Sequence, residues 1–211
     1  MKQEIHNICK RHGIGNYTIN EDGSIDVDGH VDLSWKDLER IPVKFREITG
    51  DFDCSDNRLN SLEGCPKRVG RGFYCDSNKL TTLEGCPDRV DEYFDCSYNN
   101  LTSLDGCPKK VGRNFNCSDN RLTSLEGGLE RVGGDFYCDN NNLVTLKGGP
   151  ETVGGAFYCG MNELTSLEGG PERVGGYFDC YDNNLPKHII DNPIAEIKKI
   201  HRNNKLKILL D

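Results

Sequence analysis

Eleven cysteines, five histidines and a column of aspartates are the side chains of this 211-residue chain best able to do chemistry. Thiolates attack electrophiles or hold zinc, and a neighbouring imidazole is the usual activator. The spacing argues against both uses. Seven cysteines (Cys54, Cys75, Cys96, Cys117, Cys138, Cys159, Cys180) recur with one fixed step of twenty-one residues, and Cys65, Cys86 and Cys107 form a second column with the same step. No CxxC pair occurs, and one thiol per step along a ladder does not readily close a tetrahedral site. All five histidines (His6, His12, His30, His188, His201) fall outside the repeated region, so no repeat sets an imidazole beside its cysteine. Gly128, Gly149 and Gly170 continue the second column, which therefore selects for small size. Free cysteine behaves as a small buried hydrophobe. We read these thiols as reduced core residues, with a disulfide framework or a structural metal as the alternatives. Asp53, Asp76, Asp95 and Asp139 offer oxygen ligands on a parallel face, yet lack the glycine-bounded spacing of a calcium repeat. No phosphate loop, nucleophile elbow or zinc-protease motif is present. The expectation is a protein that is not an enzyme, with no catalytic residues, no cofactor and no metal.

The elements that position these residues follow from the repeat. Phe recurs at 52, 73, 94, 115, 136, 157 and 178 without insertion or deletion, with Cys two residues on and Asn five on (Asn57, Asn78, Asn99, Asn120, Asn141, Asn162, Asn183). Leu follows at plus seven (Leu59, Leu80, Leu101, Leu122, Leu143, Leu164, Leu185), and in six copies again three later. In Phe73-Tyr74-Cys75-Asp76 the apolar residues alternate with polar ones, the pattern of a short strand with one buried face. Successive strands then lie side by side, about 4.8 Å apart. A buried Asn donates two hydrogen bonds and accepts two, so an Asn column can satisfy the turns of its own and neighbouring coils. Twenty-one residues leave too little room for a helix on the return, and the Pro column (Pro66, Pro87, Pro108, Pro150, Pro171) predicts an extended, polyproline-like back side.

The spacing x-Phe-x-Cys-x-x-Asn-x-Leu-x-x-Leu resembles the leucine-rich repeat core. Within that superfamily it looks most like the short repeats of bacterial effector proteins and of tailed bacteriophages. The phage likeness extends to the leading segment from Asn16 to Gly29, so that the resemblance covers residues 16–185. Two features depart from it. Phe and Cys replace the usual strand leucines, and the preceding apolar residue (Val69, Val90, Val111) stands four before the Phe instead of three. The resemblance implies a leucine-rich repeat solenoid with parallel in-register strands, a right-handed coil and an extended back. It does not carry over a ligase activity, since no catalytic domain follows the array.

A solenoid needs its ends covered. We assign 1–30 to an N-terminal cap (a helix near 2–11 placing Ile5, Ile8 and Cys9 inward, then a hairpin around Asn20-Glu21-Asp22-Gly23). Residues 31–185 form the array, opening on a degenerate copy with Leu33 for Cys and Lys36 for Asn. Residues 186–211 form a C-terminal cap, with a helix from Asn192-Pro193 laying Ile194, Ile197 and Ile200 on one face and Lys205–Leu210 adding a strand or tail. Hydrophobic content is 35%, which suits a thin core. The net charge of −8 disfavours whole-molecule attraction to nucleic acid or anionic membranes. The first residues lack the apolar run of a signal peptide and nothing reaches the length of a membrane span, so we expect a cytoplasmic protein, in the host cell if viral. The Asn-x-Ser/Thr matches at Asn16, Asn100 and Asn116 carry little weight without a secretory route.

The outward positions carry the functional expectation. After each Phe come Asp53, Tyr74, Asp95, Asn116, Tyr137, Tyr158 and Asp179, and alongside them Asp76, Tyr98, Asp139 and Tyr181. These eleven residues make one Tyr/Asp-rich surface almost free of Lys and Arg, suited to a protein partner with a basic surface. The plain alternative is a solvated strand face, for which Tyr and polar residues are ordinary choices. Lys67, Arg68, Arg71, Arg89, Lys109, Lys110 and Arg113 fall on the return segment. They offer a second reading, nucleic acid on a basic edge, although aromatic interleaving is absent and Glu130, Glu151 and Glu172 dilute the later copies. Self-assembly through the ends is a third, and the oligomeric state is open.

Overall fold

The computed structural model describes residues 1–210. Each coil contributes two short strands, one beginning at its Phe and one ending at its Val, and these pair with the equivalent strands of adjacent coils. The front sheet has eight strands, all parallel, running from β3 (Val31–Asp32) through Phe52–Asp53 to Phe178–Asp179. The back sheet has nine. It opens on an antiparallel hairpin of β1 (Tyr17–Ile19) and β2 (Ile25–Val27), passes to β4 (Phe45–Ile48), and ends at Arg173–Val174. Val pairs with Val on every rung from Val69 to Val174.

The return segment is extended, as its composition predicts, but it forms a parallel ladder instead of an unpaired polyproline run. The prolines do not interfere because each lies before the pairing begins; the first ladder donor after Pro66 is the Lys67 N–H, 2.9 Å from the Arg46 carbonyl. Gly133 shows how closely the coils approach: a β-carbon there would lie 1.9 Å from the Gly112 carbonyl oxygen.

The core lies between the sheets. Phe, Cys and both Leu columns are buried, as are Cys65, Cys86 and Cys107. From Phe52 to Phe178 the rings stack with centroids 4.9–5.5 Å apart. Val31 takes the Phe place in the first coil, and Phe45 closes the stack by meeting Phe52 edge-on at 5.1 Å. All eleven cysteines are free and buried, and from Cys96 to Cys159 each Sγ of the repeat column donates to a backbone carbonyl of the next coil, as from Cys117 to Tyr137 at 3.2 Å. Burial raises these thiols: Cys75, Cys96, Cys117 and Cys138 lie well above the usual range, and Cys107 is pushed up to about 12.

The Asn column satisfies the turns, and it has a direction. Asn78 Nδ2 lies within hydrogen-bonding distance of the carbonyls of Cys54 (3.0 Å), Cys75 (3.2 Å) and Asp76 (3.0 Å), while its Oδ1 accepts the Leu59 N–H at 2.9 Å. Each Asn thus reaches back to the preceding coil. The degenerate first coil has no predecessor and does without one: Lys36 stands there, and its own N–H is taken by Asn57 Oδ1.

Both ends carry helices. α1 (Lys2–His12) buries Ile5 and Cys9, with Ile8 packed beside them, and Gly13 ends it in a left-handed turn at φ 72°. At the other end α2 (Lys187–Ile190) buries Ile189, and α3 (Pro193–Leu210) buries Ile197 with Ile194 and Ile200 against the core. The strand or tail expected over Lys205–Leu210 is corrected: α3 runs unbroken through it, because Lys, Leu and Ile follow Pro193 with no further Pro or Gly to stop the helix. Among the described residues no helix is long and apolar enough to cross a membrane.

Candidate binding face

The outer side of the front sheet gathers the eleven residues singled out by sequence, in register. Asp53, Tyr74, Asp95, Asn116, Tyr137, Tyr158 and Asp179 occupy successive rungs of one column. They do not stand free. Nine of the eleven are half-buried, and only Tyr98 and Tyr181 are exposed. Rungs this close force the rings onto the sheet. Tyr137 and Tyr158 stack at 4.7 Å with 3° between planes. Tyr74 lies over Gly72 and Tyr181 over Gly160, where a β-carbon would collide with either ring.

The carboxylates are also engaged locally. Asp53 Oδ1 accepts the Ser55 N–H (2.9 Å) and hydroxyl (2.7 Å), and Asp95 does the same for Ser97. Asp95 also accepts from Asn116 Nδ2 at 3.0 Å, and Asp139 accepts the Gly160 N–H at 2.9 Å. Asp76 has no such backbone donor from a neighbouring coil. Burial, reinforced by the adjacent Asp95 charge, pushes its carboxyl up to about 6; burial raises Asp139 as well.

The surface that does project lies one step further along the chain, in a column that sequence reasoning only partly included. The residue before each ladder Asn has left-handed backbone, from Asp56 (φ 53°) through Tyr98 (51°), Asp119 (55°) and Met161 (50°) to Asp182 (46°). Its N–H extends the front ladder, as from Tyr98 to the Ser118 carbonyl at 3.2 Å. Aligning the degenerate coil puts Trp35 in this column, also left-handed at φ 55° and 78% exposed. Tyr98 is 62% exposed, Met161 42%, and neighbouring Tyr181 41%. The signal was available in the alignment, since Trp35 stands immediately before Lys36, the residue in the Asn place.

The remaining candidates for chemistry are dispersed. His6 Nδ1 lies 2.6 Å from the Tyr17 hydroxyl, His30 pairs with Asp51 at 2.8 Å, and His201 Nε2 is 3.1 Å from the Gly170 carbonyl oxygen. Among the described residues no group of three or more His, Cys, Asp or Glu side chains is arranged to hold a metal ion. On the back, Lys67, Arg68, Arg71, Arg89, Lys109, Lys110 and Arg113 are all exposed. Arg71 lies 3.7 Å and Arg113 4.0 Å from Glu92, and Arg113 also stands over the Tyr93 ring.

What the geometry defines is a parallel β-solenoid of about seven short coils with helices at both ends. No protein-family model matches the chain, and no match was found among curated proteins or solved structures.

Proposed function

We propose that this chain is a non-enzymatic binding protein of the leucine-rich repeat kind, which docks a basic surface of another protein on its front face. One observation carries the reading: Trp35, Tyr98, Met161 and Tyr181 project from the margin of a face whose columns hold Asp but, across the seven repeats, no Lys or Arg. A bulky side chain on left-handed backbone costs about 1–3 kcal/mol, and exposed aromatic surface adds to the cost in water. Large, stiff side chains ringed by carboxylates are what a protein-binding surface uses to gain area with little entropy loss and to steer a cationic partner. The likeness to phage and effector arrays supports a role in redirecting or blocking a host factor within the cytoplasm.

The half-burial of Asp53, Asp95 and Asp139 shifts the decisive substitutions outward, because reversing those three would break turns as well as contacts. Affinity capture from the native host cell with the parent and with Tyr98→Ala/Tyr181→Ala/Asp182→Lys as baits tests the reading. A basic polypeptide retained at moderate salt by the parent alone is the expected result. Identical retained sets for both baits refute it.

A further inference from the structure

The back sheet breaks a rule that the front sheet keeps across its seven repeats. In a parallel stack, equivalent residues face one another about 4.8 Å apart, and like charges directly opposed are destabilising. Across the seven repeats of the front, no two rung neighbours within a column are both Asp: Tyr74 separates Asp53 from Asp95, and Ser97 and Ser118 separate Asp76 from Asp139. The one opposed pair, Asp32 with Asp53, falls where the degenerate coil joins them. On the back, Arg68, Arg89, Lys110 and Arg131 occupy four successive rungs with nothing between them. Thr152 interrupts the line and Arg173 resumes it. The first two cations have carboxylate neighbours, Glu47 at 2.9 Å from Arg68 and Asp91 at 2.6 Å from Arg89. Among the described residues Lys110 and Arg131 have none within ion-pair distance. A chain of net charge −8 thus gathers unpaired positive charge at the middle of one strip.

A groove of about 720 Å³ runs along that strip. Arg89, Lys109, Lys110 and Arg131 line it, together with Gly112, Gly133 and Gly154. Those glycines are exposed and present no side chain, so an incoming chain can lie close to the sheet beside the cationic row. Lys109 is partly committed, with Nζ 3.2 Å from the Gly127 carbonyl oxygen.

We propose that this groove is a second docking site, distinct from the front face, for an extended acidic peptide segment of a partner protein. The segment lies across the coils with carboxylates on Lys110 and Arg131. An extended peptide sets alternate side chains about 6.6 Å apart on one side, a spacing that long Lys and Arg stems reach from rungs about 4.8 Å apart, and the guanidinium of Arg131 can take a carboxylate in two-point fashion. Peptide fits better than nucleic acid on two counts. No aromatic side chain lines the groove to stack a base. Glu130 and Asp91 also line it, and they would repel an unbroken run of phosphates while leaving room for neutral residues of a peptide.

The test is fluorescence anisotropy of the full chain with labelled oligoglutamate, and with labelled oligothymidylate of equal charge. The expected result is saturable oligoglutamate binding, weakened about tenfold by Lys110→Glu and unchanged by the front-face substitution Asp182→Lys. Lys110→Glu sets a carboxylate between Arg89 and Arg131, so its thermal midpoint should equal or exceed the parent's. Three results would overturn the proposal: tighter binding of oligothymidylate, unchanged oligoglutamate affinity in Lys110→Glu, or a lowered thermal midpoint in that variant. A concentration-dependent dimer dissolved by the same substitution would overturn it too, by assigning the strip to the acidic front of a second copy.

Discussion

Asn120→Ala removes one rung from the middle of the amide ladder. Its two amide N–H groups are shared among the carbonyls of Cys96 (3.0 Å), Cys117 (3.2 Å) and Ser118 (3.1 Å), and its Oδ1 accepts from the Leu101 N–H at 3.0 Å. The carbonyls each retain another donor: Asn99 for Cys96, Asn141 for Cys117 and the Tyr98 N–H for Ser118. The Leu101 N–H retains nothing. One orphaned buried donor costs about 1–3 kcal/mol, and three weakened bonds add roughly 0.5 kcal/mol each, so the loss should be about 3 kcal/mol. The same change at Asn183 should cost roughly 1 kcal/mol, because that residue is only half-buried and water can replace it. Urea unfolding followed by circular dichroism measures the difference, and amide exchange at Leu101 locates it. Asn120→Asp isolates the donor: it keeps the shape and the acceptor but turns an oxygen toward three carbonyls, and should be at least as damaging as alanine. Equal losses at the two sites, or an aspartate variant as stable as the parent, would refute the reasoning.

Two further outcomes follow from burial. The thiols should resist Ellman's reagent in the folded protein and react together on unfolding, with Cys180, raised only to about 11, yielding before Cys96, Cys117 and Cys138. A fast-reacting thiol among those three would contradict the structure. For Asp76, the folded carboxyl is raised to about 6 from 3.8, so the fold favours the protonated form. Its penalty is absent below about pH 4, grows as pH rises toward 6, and is constant above. Asp76→Asn should therefore gain stability over the parent by roughly 1–2 kcal/mol at pH 7, after allowing for solvent screening, and gain little at pH 4. A gain that is the same at both pH values would sink this assignment.

Much of this architecture is written in the fixed step of the Phe, Cys, Asn and Leu columns, because a strict period places equivalent residues in register and leaves the core only one composition. The direction of the Asn ladder was half legible: Lys36 in the first coil marks the end where no earlier coil needs an amide. The back ladder was less so, since a Pro column speaks for extended backbone without saying whether the residues after it pair. The front face was misjudged in depth rather than position. Alternation sends Tyr74, Tyr137 and Asp139 outward, but rung spacing and the recesses at Gly72 and Gly160 decide that the rings lie flat and the carboxylates turn to local donors. Left-handed backbone at Trp35, Tyr98 and Met161 is invisible to side-chain patterning, because the ladder and not the residue type imposes it.

The backward reach of each amide gives the molecule a schedule as well as a shape. A coil's Leu N–H stays open until the Asn nineteen residues later is made, as with Leu101 and Asn120. On a ribosome adding about 5–20 residues per second, each newborn coil waits roughly 1–4 seconds for its successor to lock it. Synthesis therefore closes the stack like a zip, from the amino end onward, with only the newest turn exposed to solvent or chaperone at any moment.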